Sequence, residues 1–196
     1  MTNKKREWWP GAILHVTARG NHRNNIFRDE EDFQVYTTFL EEALDHFLGK
    51  FEIYSYCLMD NHVHLLLKTE DLHISNFISR IHSIYARFFN NKYKYVGHLF
   101  QNRYYTELIE DDAQLLSTSR YIHLNPLKAK MVEKAEDYQW SSYGMFIGLI
   151  KVNLINSEKI LDYFKKENAR ELYRLFVESD IKTKNQEEVE SIGISS

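Results

Sequence analysis

Phe51 to Lys68, FEIYSYCLMDNHVHLLLK, narrows the possible folds more than any other stretch of the chain. Phe51, Ile53, Tyr54, Tyr56 and Leu58 are aromatic, β-branched or apolar, and Leu65 to Leu67 is apolar again, so the stretch predicts two strands. Met59-Asp60-Asn61 forms the tight turn between them. On a strand from His62 to Lys68, alternate side chains share a face, which sets His62 and His64 side by side with Val63 opposite. Two imidazoles so spaced suit a pair of ligands for one divalent metal; they equally suit two structural histidines on a half-solvated sheet face.

The flanking segments repeat the change between strand and helix periods. Ala12 to Ala18 alternates Ile13, His15 and Thr17 against Leu14, Val16 and Ala18, a strand pattern. Arg19 to Asn25 then breaks it with Gly, Asn and cations. From Asp29 the period becomes helical: Phe33, Tyr36, Phe39, Leu40, Ala43, Leu44 and Phe47 recur, Asp29 caps the start and Gly49 supplies the stop. Ile74, Phe77, Ile78, Ile81, Ile84, Tyr85 and Phe88 predict a second amphipathic helix, followed by a polar loop over Asn90 to Lys94. Leu99 to Ile109 is aromatic and extended and contains a fourth strand. The order β, α, β, β, α, β is that of an α+β ferredoxin-like sandwich, an antiparallel sheet with both helices on one face and its other face free for a site.

Downstream, Asp111 or Asp112 caps a third helix, which Pro126 is expected to end. Tyr121 and Asn125, four residues apart, share a face of it. Trp140-Ser141-Ser142-Tyr143 brings aromatics suited to packing, and Leu154 to Ser179 has the spacing of two short helices. Lys182 to Ser196 is polar and expected to fray. The chain thus divides into residues 1–150, carrying the sandwich and the tyrosine helix, and 151–196, a C-terminal helical appendage with a flexible end.

At 196 residues with 43% hydrophobic and 27% charged content, the chain has enough apolar material for one well-cored domain, which excludes global disorder. No run approaches the roughly 20 apolar residues of a membrane span, and MTNKKR leads into Glu7-Trp8-Trp9-Pro10 without a signal-peptide core. The lone Cys57 excludes an internal disulfide, and a cytoplasmic protein is expected. The net charge of −3 is unevenly spread. Residues 1–28 hold six Lys/Arg against one acid, and residues 72–106 hold five with none. Two basic segments beside a metal pair would form a phosphate-backbone footprint; solvated faces without a nucleic-acid role are the alternative.

Tyrosine, with a reference pKa near 10, is a poor nucleophile at neutral pH unless the electrophile is polarised or its proton is taken. A His-x-His metal pair, an amide ligand and a positioned Tyr121 suit in-line attack on a phosphodiester. The covalent phosphotyrosine would conserve the bond energy for rejoining strands.

Met59-Asp60-Asn61-His62-Val63-His64-Leu65-Leu66-Leu67, Arg19-Gly20-Asn21 after the first strand, and Arg120-Tyr121-Ile122-His123-Leu124-Asn125-Pro126 downstream together resemble the single-tyrosine HUH transposases of the IS200-like superfamily. Trp140-Ser141-Ser142-Tyr143 is similar to the REP-associated tyrosine transposase branch. The resemblance runs from about His15 to Tyr143. It implies a Mg2+- or Mn2+-dependent endonuclease and strand transferase acting on single-stranded DNA with imperfect hairpins. By position, His62 and His64 resemble the metal ligands, Asn125 a third, amide ligand, and Tyr121 the nucleophile that takes the 5′ phosphate. His15, Arg19, Asn21, Arg23 and Arg103 are weaker candidates for DNA contact, with fold support the alternative role for His15, Arg19, Asn21 and Arg103. Asp60 stands where many relatives carry proline. Classical insertion-sequence relatives are dimers that exchange the tyrosine helix, while the REP-associated branch resembles monomers, so monomer and homodimer both remain open.

A hairpin-binding protein of the same fold without catalysis is the competing reading. A histidine-dependent phosphohydrolase fits poorly. Histidine-triad hydrolases need a third alternating histidine where this chain has Leu66, and a second His-x-Thr motif is absent.

Overall fold

The computed structural model describes residues 8–179, so the polar end from Lys182 and the cations Lys4, Lys5 and Arg6 lie outside the described residues. Four strands, β1 (Ile13–Arg19), β2 (Phe51–Met59), β3 (His62–Thr69) and β4 (Tyr105–Leu108), form one sheet in the order β2-β3-β1-β4. All three pairings are antiparallel. With helices α1 (Glu30–Phe47) and α2 (Ile74–Tyr93) between them, this is the expected βαββαβ sandwich.

Alternation decides which layer each strand residue joins. Leu14, Val16 and Ala18 of β1 and Val63, Leu65 and Leu67 of β3 are buried in a first core with Phe33, Tyr36 and Leu40 of α1 and Phe77, Ile78 and Ile81 of α2. Each fully buried Val, Leu, Ile or Phe among them contributes about 1.5–3 kcal/mol of transfer free energy. Asp29 caps α1, its carboxylate accepting from the Asp32 amide 3.1 Å away. The helix stops where Leu48 and Gly49 turn left-handed, at φ of 43° and 77°. A register shift between Ile53 and Ser55 in β2 inverts the alternation. Tyr56 and Leu58 therefore face the first core, while Tyr54, Cys57 and Met59 face the other side.

Three features differ from the sequence expectation. The loop expected over Asn90 to Lys94 is largely helix, because α2 continues to Tyr93. Lys92 Nζ lies 2.8 Å from the buried Asp32 carboxylate, and the Tyr93 hydroxyl donates to it over 2.8 Å, which holds the last turn down on the start of α1. Helix α3 (Asp112–Lys128) does not end at Pro126. The proline falls in the last turn, where its missing N–H removes one bond, and Ala129 N still donates to Asn125 O at 2.9 Å.

The second face of the sheet, expected to be free, is covered over the β2 side. Short helices α4 (Tyr143–Phe146) and α5 (Glu158–Leu161) and helical residues 169–179, designated α6, pack there with α3. Leu115 and Ile122 of α3, Phe146, Ile160, Leu161, Tyr173 and Val177 bury Tyr54, Cys57 and Leu66 in a second core. Apolar residues on both sides of β2 demand this cover. The β1–β4 side of the same face stays open.

Candidate active site

The open part of the second face carries the histidines. β3 is an inner strand, paired on both sides, so its backbone is held across its length. His62 and His64 stand on one face with ring centroids 4.9 Å apart, and β1 sets Arg19 opposite His62 and Thr17 opposite His64. Helix α3 crosses beside them. Its Tyr121 is half-exposed, with its ring edge-on to His64 at 5.6 Å and to His15 at 6.0 Å between centroids. Lys128 Nζ lies over the tyrosine ring at 5.2 Å. Asn125, one turn on, donates its amide Nδ2 to Tyr121 O at 2.8 Å, which leaves its Oδ1 as an acceptor. These residues line one open cleft of about 1030 Å3.

Both histidines of the triplet are engaged through Nδ1. His62 Nδ1 lies 2.6 Å from Asn61 Oδ1, and His64 Nδ1 lies 3.0 Å from His15 Nε2 and 3.3 Å from Thr17 Oγ1. Burial pushes His62 down to about 4, and the nearby Arg19 charge acts the same way. Burial, with His15, His62 and Arg19 adding to it, pushes His64 down to about 2. Burial lowers His15 as well, against an opposing pull from Glu107.

Neutral imidazoles with Nδ1 occupied keep Nε2 for a ligand, and with Asn125 Oδ1 they make a nitrogen–oxygen donor set suited to a divalent cation. Among the described residues, no group of three or more His, Cys, Asp or Glu side chains could hold a metal. Asn125 Oδ1, in the wall of the same cleft, has the chemistry of a third donor beside the two imidazoles, so the residues present fit a divalent cation.

The remaining candidates separate. Arg19 and Arg103 line the cleft, as does His15, which is only 7% exposed. Asn21 and Arg23 are not among the lining residues; they sit in the turn after β1, where His22 and Arg23 have φ of 53° and 61°. Asn61 Nδ2 donates to Arg23 O over 3.3 Å, tying that turn to the triplet. Asp60 is exposed, and its carbonyl accepts from the Ile26 and Phe27 amides.

Thr17, Gln101, Asn102, Tyr105, Glu107 and Lys128 also line the cleft, and sequence reasoning did not select them. The alternation of Tyr105 and Glu107 along β4 was the available signal. Pairing of Thr17 with Tyr105 and of His15 with Glu107 across β1–β4 brings both to the site.

Behind Tyr121, α3 is fixed by a buried polar chain. Ser119 Oγ meets Tyr173 OH at 2.5 Å, Tyr173 OH meets His123 Nδ1 at 2.7 Å, and His123 Nε2 meets Ser142 Oγ at 2.8 Å. Ser142 Oγ in turn accepts from Tyr56 N at 2.9 Å. Ser119 and His123 flank Tyr121 by two residues on either side and point inward as it points out.

Comparison with known proteins agrees with this geometry. The IS200-like transposase family profile matches residues 10–125. A Haemophilus influenzae protein described as a candidate REP-associated tyrosine transposase is 26% identical over 156 residues, 73% of this chain and 86% of its own length. The structure of a REP-associated tyrosine transposase bound to a REP hairpin superposes with a TM-score of 0.64 at 15% identity, over 80% of this chain and 98% of that one, which establishes a shared fold. A candidate transposase from Deinococcus radiodurans gives a TM-score of 0.43 at 19% identity, over 62% of this chain and 95% of that one. With its triplet on an inner strand, a tyrosine helix beside it and the profile spanning both, the chain belongs to the IS200-like transposase family.

Proposed function

We propose that the protein is a metal-dependent single-stranded DNA endonuclease and strand transferase that works in the cytoplasm through a 5′-phosphotyrosine intermediate. One adjacency carries the reading: the Tyr121 ring stands 5.6 Å from His64 in a cleft whose other side chains include Arg19, Arg103 and Lys128. The cations attract and orient the phosphate backbone. The Tyr121 phenol oxygen forms a bond to the scissile phosphorus, and the bond from phosphorus to the preceding 3′ oxygen breaks. The phenol proton passes to water, and the departing 3′ oxygen takes one from water. Attack by another 3′ hydroxyl reverses these steps and joins a new strand. His62, His64 and Asn125 would hold a magnesium or manganese ion, which would supply charge neutralisation at the phosphate.

The similarity to a protein captured on a REP hairpin supports hairpin-bearing repeat DNA as the substrate class. One chain supplies Tyr121, both histidines and Asn125 to a single cleft, which supports a monomer as the working unit.

The test is incubation of labelled single-stranded oligonucleotides, with hairpins drawn from palindromes flanking the coding region, with the protein and magnesium. A denaturant-resistant protein–DNA adduct is expected. It should vanish in Tyr121→Phe and in His64→Ala. Tight hairpin binding without cleavage of any such DNA would instead favour a binding protein of the same fold.

A further inference from the structure

His15 lines the cleft without a part in the proposed chemistry, and its neighbours give it a role. It is buried, with Nε2 3.0 Å from His64 Nδ1 and Nδ1 3.7 Å from Glu107 Oε2. Glu107 is itself held. Gln114 of α3 donates Nε2 to Glu107 Oε1 at 3.2 Å, and Gln114 is fixed in turn because its Oε1 accepts from Glu110 N at 2.7 Å. An ordered line therefore runs from the start of α3 through Gln114, Glu107 and His15 to His64.

Two imidazole nitrogens facing each other at hydrogen-bond distance share one proton, since one must donate and the other accept. Two arrangements are possible. In one, His15 carries its proton on Nδ1, toward the Glu107 carboxylate; its Nε2 is then a bare acceptor, and His64 must be the Nδ1–H tautomer with its lone pair on Nε2. In the other, His15 donates from Nε2, turns a bare Nδ1 toward the carboxylate, and forces the proton of His64 onto Nε2. The negative charge of Glu107 favours the first arrangement and opposes the second. Thr17 Oγ1, 3.3 Å from His64 Nδ1, can accept from the same N–H.

We infer that Glu107 and His15 are positioning residues that act as a relay, fixing His64 as the Nδ1–H tautomer so that Nε2 is free to ligate a divalent cation. The inference rests on the proposed reading of His62 and His64 as the cation-binding pair. Asn61 does the same for His62, through an acceptor at 2.6 Å from Nδ1. The two ligands thus have separate outer partners, one in the turn before β3 and one in β1, where His15 is backed by Glu107 of β4 and Gln114 of α3. Loss of such an outer partner lowers metal affinity by about 10–100-fold in comparable sites.

The experiment uses the full chain with 15N-labelled histidine. Long-range 1H–15N correlation spectra of the metal-free protein report which nitrogen of His64 bears the proton, and Mn2+ titration followed by electron paramagnetic resonance reports affinity. In the wild type, His64 is expected as the Nδ1–H tautomer. In Glu107→Gln, whose amide can donate or accept, a mixture with the Nε2–H form is expected, with Mn2+ affinity lower by about 10–100-fold. Glu107 is half-exposed, so this variant should keep its thermal midpoint. Glu107→Asp, which restores the charge, should recover most of the tautomer preference. A wild-type His64 protonated on Nε2, or a Glu107→Gln variant unchanged in tautomer and in Mn2+ affinity, overturns the relay. Absence of Mn2+ binding in the wild type, with the tautomer as expected, would overturn the metal reading and with it the purpose assigned to the relay.

Discussion

The hydroxyl of Tyr173 lies 2.7 Å from His123 Nδ1, joining helix α6 to the helix that carries Tyr121. It is fully buried and also touches Ser119, so Tyr173→Phe strands two buried polar groups, at about 1–3 kcal/mol each. Denaturant unfolding should show a loss of that order. Faster amide exchange across residues 117–125 should accompany it, because those residues lose their inward anchor.

Stability should fall on mild acidification. Burial pushes both His82 and His123 down to about 3, whereas the unfolded chain binds their protons near pH 6.5. Between these values the unfolded state holds more protons than the native state. The stability is therefore complete above about pH 6.5 and declines as pH drops toward 3, by on the order of 2 kcal/mol per histidine at pH 5. Urea midpoints at pH 7 and pH 5 measure the difference. His82 stacks on Phe100 at 4.0 Å, so His82→Phe should keep the packing and shrink the pH dependence by its share.

Tyr105 is 66% exposed yet lines the cleft, with Gln101, Asn102 and Arg103 on the segment leading to it. An aromatic face so presented suits stacking by a nucleobase. Tyr105→Ala should weaken single-stranded DNA binding by about 1–3 kcal/mol, and Tyr105→Phe should not. Fluorescence anisotropy in the absence of metal separates this effect from cleavage.

Gly20→Ala should disturb the turn after β1. A Cβ there would overlap the Asn24 carbonyl oxygen and stand 2.8 Å from Ile26 Cγ2. The expected cost is about 1–3 kcal/mol, read as a lower thermal midpoint. The shift should reach the triplet, because Gly20 N donates to Asn61 O over 2.8 Å.

Local periodicity made much of this architecture readable. The two faces of β1, the Asp29 cap and the paired strands around Asp60 all follow from spacing within a few residues. The end of α2 did not, because the partners of Lys92 and Tyr93, Asp29 and Asp32, lie about 60 residues earlier. The bulge in β2 was equally hidden, since a run apolar on both faces carries no phase. Tyr121 and Asn125 were visible through helical spacing and resemblance. Glu107 was not, because its significance depends on standing opposite His15 across a strand pair. His15 could be selected from its motif as a candidate for DNA contact or as fold support, but its place in the cleft wall against His64 depends on a strand pairing the sequence does not display.

The pairing of residues 140–142 with β2 bears on how copies of the chain behave at high concentration. Leu58 N donates to Trp140 O, and Ser142 N donates to Tyr56 O, so the outer edge of β2 is occupied over Tyr56 to Leu58. At the opposite edge β4 is four residues long, and its Leu108 carbonyl already accepts from Gln114. Long unsatisfied edges template strand addition between molecules. A sheet partly covered at one margin and curtailed at the other leaves little free edge for such addition.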